Sequence, residues 1–366
     1  MILYVGIIFW ILLASMFCYK SKISCRVRGT QEKKIIYMYP FITMSVYVFF
    51  AGMRDSIGDT AAYVIEYETM PDHLSAIFDY IAIGGKEVGF YALRLFIKVM
   101  TNGNHYAYFM VVAAISGFAI AYGIQKYSPY MRSSMLLFML TGTFTWMLHG
   151  IRQFMVVAIL FCNLDLLIKR DYKKYFLLIL ALFTFHHSVI IMAPMIFIVT
   201  GKPWNKKTML VLLCSVMVIF TASSFANFMD SALANTSYAG AKDDYAFDDG
   251  VNPIRVLVEA VPCIIALVYR KRIERENDPL LNILVNYSVM TVGISLVGMV
   301  TSGILMGRLI VFFSVYNLIL LPWLVNNLFG TSGPAVRAAM YAIYIVYFQI
   351  NTGSYYYISE ALNLYL

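Results

Sequence analysis

Apolar and polar positions alternate in long blocks along this chain. Apolar runs near 2–19, 35–52, 104–124, 133–149, 151–168, 175–186, 188–200, 208–226, 254–269, 280–299, 309–329 and 335–351 are joined by mostly short polar connections. A helix needs about 20 apolar residues to cross a hydrocarbon core roughly 30 Å thick. The pattern therefore predicts an all-α, polytopic integral membrane protein of about twelve spans, with 1–366 as a single membrane domain. The runs 175–186 and 188–200 are short, about 18–20 Å of helix each, and meet at His186-His187-Ser188. They fit either two spans or a re-entrant pair with its tip at membrane depth. Segment 88–100, VGFYALRLFIKVM, has apolar residues at helical spacing together with Arg94 and Lys98, which predicts an interfacial amphipathic helix. Two connections are long, 53–103, which holds that helix, and 227–253.

Composition supports this picture and removes other classes. Hydrophobic residues make up 61% of the chain and charged residues 13%, where soluble domains carry roughly a quarter charged. A soluble enzyme, a disordered chain and a secreted disulfide scaffold are excluded. The net charge of +8 would suggest nucleic acid in a soluble protein, but topology explains it here. Basic residues gather in alternate connections: Lys20, Lys22, Arg26, Arg28, Lys33 and Lys34; Lys126 and Arg132; Lys169, Arg170, Lys173 and Lys174; Lys202, Lys206 and Lys207; Arg270, Lys271, Arg272 and Arg275; and Arg337. The positive-inside rule assigns these to the cytoplasm, so both termini and both long loops are expected outside. No basic region precedes the first apolar run, which reads as an anchored helix rather than a cleaved signal. The five cysteines form no CxxC pair, and no internal repeat supports an inverted-repeat transporter.

Several basic residues oppose the orientation rule. Arg54, Arg152, Arg255 and Arg308 sit at the predicted outer ends of helices, where an arginine on an apolar run needs a partner. Guanidinium groups recognise phosphate in a planar, bidentate way. Converging arginines thus suggest a phosphate or pyrophosphate site; pairing with a nearby carboxylate or a lipid headgroup is the plainer alternative. In GMRDSIGDTAAYVIEYETM, Arg54, Gly58, Asp59 and Tyr63 cluster at the membrane surface. Asp59 is a candidate base for a sugar hydroxyl or a cap for a helix starting at Thr60. Glu87 opens the amphipathic helix and is a second candidate acid/base group or a dipole partner. His187, between apolar neighbours, is a third candidate, for phosphate, a proton or a sugar, or a histidine bonded within the bundle.

Other chemistry finds little footing. The five histidines and the acidic stretch Asp243, Asp244, Asp248 and Asp249 lack metal-ligand spacing, so no metal is expected. No Walker loop, dinucleotide fingerprint or nucleophile elbow occurs, and no cofactor is called for. Tyr63, Tyr67, Tyr80 and Tyr91 are candidates to stack on sugars, although aromatic belts are normal at membrane interfaces.

The order of these residues carries a likeness. Arg54 with Gly58-Asp59 and Tyr63 after the second span, then Glu87-Val88-Gly89-Phe90, Arg152-Gln153, His187-Ser188 and finally Arg308 resembles the EpsG family of polysaccharide polymerases, related in role to the Wzy O-antigen polymerases. The similarity runs from about 35 to 325. It implies a membrane glycosyltransferase on the outer face of the bacterial inner membrane, joining polyprenyl-diphosphate-linked oligosaccharide repeat units into a surface polysaccharide such as an exopolysaccharide. A flippase and a chain-length regulator are the implied partners. On this likeness Arg152 and Arg308 would stabilise the leaving diphosphate, Gln153, Arg54, Arg255 and Tyr63 would assist in binding, and Asp59, Glu87 or His187 would serve as base. A flippase of lipid-linked oligosaccharide and an O-antigen ligase are the competing readings.

Overall fold

The computed structural model describes residues 2–18, 22–26, 33–221, 224, 227–228, 231, 250–352 and 356–366. Most of the 227–253 loop, with Lys242 and the acidic stretch Asp243–Asp249, and the basic residues Lys20 and Arg28 lie outside them. The described elements are overwhelmingly helical. In chain order they are α1 (Ile2–Phe17), strands β1 (Lys22–Arg26) and β2 (Lys33–Tyr37), α2 (Tyr39–Gly52), α3 (Thr60–Glu68), α4 (Ala76–Ala82), α5 (Val88–Met100), α6 (His105–Tyr127), α7 (Met131–Leu140), α8 (Trp146–His149), α9 (Ile151–Cys162), α10 (Asp165–Ile168), α11 (Tyr172–Phe183), α12 (Met195–Ile198), α13 (Lys206–Phe220), α14 (Pro253–Val268), α15 (Arg270–Glu276), α16 (Pro279–Met299), α17 (Gly303–Ser314), α18 (Asn317–Asn327) and α19 (Gly333–Thr352), closed by strands β3 (Ile358–Ser359) and β4 (Leu364–Tyr365).

Among the described residues, α6 and α16 are each long and apolar enough to cross a membrane, and α17 with α18 passes the same test as a pair bent by 54°. Several other apolar helices run only 10–17 residues, and local chemistry shows why at two of them. The run 133–149 breaks at Gly142, which takes a left-handed φ of +74°. It yields α7, a 3-10 turn at Thr143–Thr145 and α8. The run 188–200 becomes a 3-10 stretch, His187–Met192, followed by α12 with Pro194 before its first turn. The start of the run 35–52 pairs with β1 as an antiparallel strand, Lys22 opposite Tyr37.

The residues sort into two compact units within the span 1–366 taken above as one domain. The first comprises Met1–Leu166, Asp171–Ile190 and Arg337–Leu366; the second comprises Leu167–Arg170 and Ile191–Val336. In the first unit the long connection 53–103 folds into α3, α4 and α5. Its core gathers Tyr63, Tyr67, Phe90, Tyr108, Phe109, Ile151 and Met155; Tyr67 stacks on Tyr108 with centroids 4.8 Å apart. The residues 356–366 are clasped to the 54–56 turn: Asp55 accepts from Glu360 N–H at 2.7 Å and from the Tyr106 hydroxyl at 2.8 Å. In the second unit, buried Asn286 on α16 pins the 199–204 turn. It donates to the Val199 and Lys202 carbonyls and accepts from Trp204 N–H.

Helix α5, at the bounds expected for the amphipathic helix, buries Phe90, Tyr91, Arg94, Leu95, Ile97 and Lys98 and leaves Phe96 and Met100 exposed. The face is set by α3. Lys98 Nζ donates to the carbonyls of Tyr67 and Glu68 at 2.9 and 2.8 Å, meeting orphan acceptors at the end of α3 where a cation suits the helix dipole.

Candidate active site

The first unit draws most of the sequence candidates toward the start of α5. Glu87 occupies the residue before α5 in a left-handed conformation, φ +56°, and its carboxylate makes no cap. It turns instead to three donors from distant segments. Oε2 accepts from Arg152 Nη1 at 3.0 Å, while Oε1 meets His186 Nδ1 at 2.7 Å and the His187 backbone N–H at 3.2 Å. An ionised carboxylate only accepts, so the Nδ1 of His186 is the donor. Burial by itself would raise the Glu87 pKa; the bond and charge of His186, the charge of Arg152 and the His187 N–H outweigh it and hold the carboxyl below its ordinary value of 4.5.

Gly89 makes this meeting possible. Its N–H bonds the Thr184 carbonyl at 2.8 Å, and a Cβ at this position would lie 2.4 Å from Thr184 Oγ1. Any other residue would force the Thr184 side chain to shift. The histidine that reaches the acid is His186, whereas the sequence singles out His187. The ring of His187 stacks on Phe183 at 4.5 Å, and only its backbone N–H joins the cluster.

Arg152, in the first turn of α9, is the half-open member. Its side chain is 35% exposed against 12% for Glu87. The guanidinium lies 5.8 Å from the Tyr63 ring centroid and 5.9 Å from that of Phe90, within the range of cation–π attraction. Tyr63 is buried and donates from its hydroxyl to the His149 carbonyl at 3.2 Å, and Gln153 beside Arg152 is also buried. Gly58 sets this approach: it has φ +55°, and a Cβ there would fall 2.3 Å from His149 Cβ.

A second ion pair shares the Phe90 ring. Arg94 Nη1 donates to Glu66 Oε2 at 2.8 Å with the guanidinium 5.3 Å from the Phe90 centroid. Here the exposures are reversed, 9% for the arginine and 49% for the acid. In the sequence Arg94 stands out only as a charge on the amphipathic helix and Glu66 does not stand out at all; their spacing of 28 residues carries no motif.

The remaining candidates have other surroundings. Arg54 is wholly buried. It donates from Nε to Thr60 Oγ1 at 3.0 Å and from Nη1 to the Ala51 carbonyl, and it lies 4.3 Å from the Phe109 centroid. Burial brings its pKa down to about 10, with nearby tyrosines and Asp55 pulling the other way, so it stays charged at neutral pH. Its visible work is to hold the 54–60 turn, and Nη2 is left without a hydrogen-bond partner. Asp59 is exposed and stands just before α3, as the capping reading expected, but its side chain makes no cap bond. Tyr67 is buried, and Tyr80 stacks on Tyr91 with centroids 3.7 Å apart, so their rings pack against protein. Arg255 and Arg308 belong to the second unit, where Arg255 Nη1 lies 3.4 Å from where a Gly307 Cβ would stand, against the turn of α17 that carries Arg308. Among the described residues no group of three or more His, Cys, Asp or Glu side chains is placed to hold a metal ion.

Apolar helices packed around arginine–carboxylate pairs on an aromatic ring define a membrane protein. The family model for the EpsG family matches residues 36–365. The chain belongs to that family, a family of Wzy-like polysaccharide polymerases. No curated protein and no solved structure matches it.

Proposed function

We propose that this protein is a glycosyltransferase that polymerises polyprenyl-diphosphate-linked oligosaccharide repeat units into a surface polysaccharide at the outer face of the bacterial inner membrane. Its about twelve spans carry both termini and the 53–103 and 227–253 loops outside. A flippase supplies the lipid-linked units and a chain-length regulator acts with it. The observation that carries the reading is Arg152: a half-open guanidinium oriented by Glu87 over Tyr63 and Phe90. Five N–H groups form a guanidinium fork, so donors remain for an incoming anion after Glu87 and Tyr63 are met.

In the reaction the acceptor hydroxyl attacks the anomeric carbon of the donor as its bond to the diphosphate oxygen breaks. The departing diphosphate needs charge stabilisation more than protonation, and preorganised donors supply it. Arg152 takes that role. Glu87, His186 and the His187 N–H position it, while Tyr63 and Gln153 form the wall beside it. Arg54 keeps the 54–60 turn in place, and Arg255 with Arg308 forms the anion-binding group of the second unit. Purified protein supplied with lipid-linked repeat units tests this: Arg152→Lys and Arg308→Lys are expected to leave single units unextended. Normal ladders of polymer from both variants would overturn the reading.

A further inference from the structure

The diphosphate site leaves one proton unassigned, the one on the attacking acceptor hydroxyl. Glu87 is poorly suited to receive it, because three donors hold its carboxylate in the ionised form. Glu66 is placed differently. It lies on α3 one turn beyond Tyr63, whose ring lies against Arg152. Of its two oxygens, Oε2 takes the bond from Arg94, and the side chain is half exposed. Arg94 is packed on the Phe90 ring that also underlies Arg152, and Lys98 fixes the end of α3 just past Glu66. The charge of Glu66 also acts on Arg152, alongside that of Glu87. A carboxylate held by one oxygen and open at the other fits a general base that must meet a large substrate.

We propose that Glu66 is the catalytic base of the polymerisation. As the acceptor oxygen bonds to the anomeric carbon, its proton passes to the Glu66 carboxylate; the carbon–oxygen bond to the diphosphate breaks, and the polyprenyl diphosphate leaves as an anion on Arg152. Solvent then takes the proton from the exposed acid. This assignment rests on the diphosphate reading above, and the test keeps the two apart.

Full-length protein is given lipid-linked repeat units isolated from cells that lack it, with a sugar-free polyprenyl diphosphate as the binding probe. Glu66→Gln is expected to bind the probe as the unaltered protein does while its kcat for elongation falls about 100-fold or more. Formate is expected to restore part of the rate to Glu66→Ala and none to Arg152→Lys. Elongation by Glu66→Gln within about threefold of the unaltered protein, where base loss should cost about 100-fold, or a loss confined to probe binding, would overturn the assignment. The diphosphate reading fails separately if Arg152→Lys keeps both binding and elongation. If Glu66→Gln does not fold, Glu66→Asp decides: it keeps the charge for Arg94 but withdraws the carboxylate by a methylene, so kcat about tenfold lower supports the base and unchanged kcat overturns it.

Discussion

The two ion pairs on the Phe90 ring are chemical copies with opposite burial. In Arg152–Glu87 the acid is hidden and the arginine half open; in Arg94–Glu66 the arginine is hidden and the acid half open. Each pair thus fixes one member to orient the other, and together they present one cation and one carboxylate beside a common aromatic floor. A charged pair does structural or chemical work according to which member has lost its water. The presented arginine suits a leaving anion, and the presented acid suits an arriving proton.

The strongest break in this symmetry is at the presented arginine. Arg152→Lys keeps a charge but loses the planar fork, and kcat for elongation should fall by about 10²–10³-fold, the usual effect of removing one oxyanion donor. Glu87→Gln strikes the hidden member instead. It deprives His186, Arg152 and the His187 N–H of a charged acceptor, so the melting free energy in detergent should drop by on the order of 2 kcal/mol, and elongation should slow through a lower kcat as Arg152 loses its aim. Glu66→Gln should lose no more than about 1 kcal/mol, since its exposed carboxylate is already solvated.

Packing gives the next effect. Gly89→Ala forces a Cβ onto Thr184 Oγ1 and should cost about 1–3 kcal/mol by overpacking, with a shift of the His186 ring resonances as the more specific sign. Acid should mimic the Glu87 substitution. Because the folded protein holds the Glu87 carboxyl below its ordinary value of 4.5, the stability it contributes is present above that pH and is lost as pH falls through the depressed value. Melting curves should show this acid loss in the unaltered protein and a smaller one in Glu87→Gln. The two histidines give the finest contrast. His186→Ala removes a charge-assisted bond, about 1.5–3 kcal/mol; His187→Ala keeps the backbone N–H and forfeits only the Phe183 stack, about 0.5–1 kcal/mol. Equal effects would show that the ring of His187 does more than stack.

Much of this was legible in the sequence, and the legible part is local. Apolar run length marked α6 and α16, helical spacing marked α5 at its observed bounds, and Asp59-Thr60 marked the start of α3. These depend on residues a few positions apart, where propensity and periodicity act. Motif order also led to the right family over most of the chain. The site's partnerships were not readable in this way. Which face α5 buries, that His186 rather than His187 reaches Glu87 and that Glu66 stands open all depend on side chains that meet across 28, 65 and 99 positions. Such meetings are set by how closely backbones approach at Gly58 and Gly89 and by which charge is left in contact with water. Those are properties of the packed molecule, and no stretch of sequence contains them.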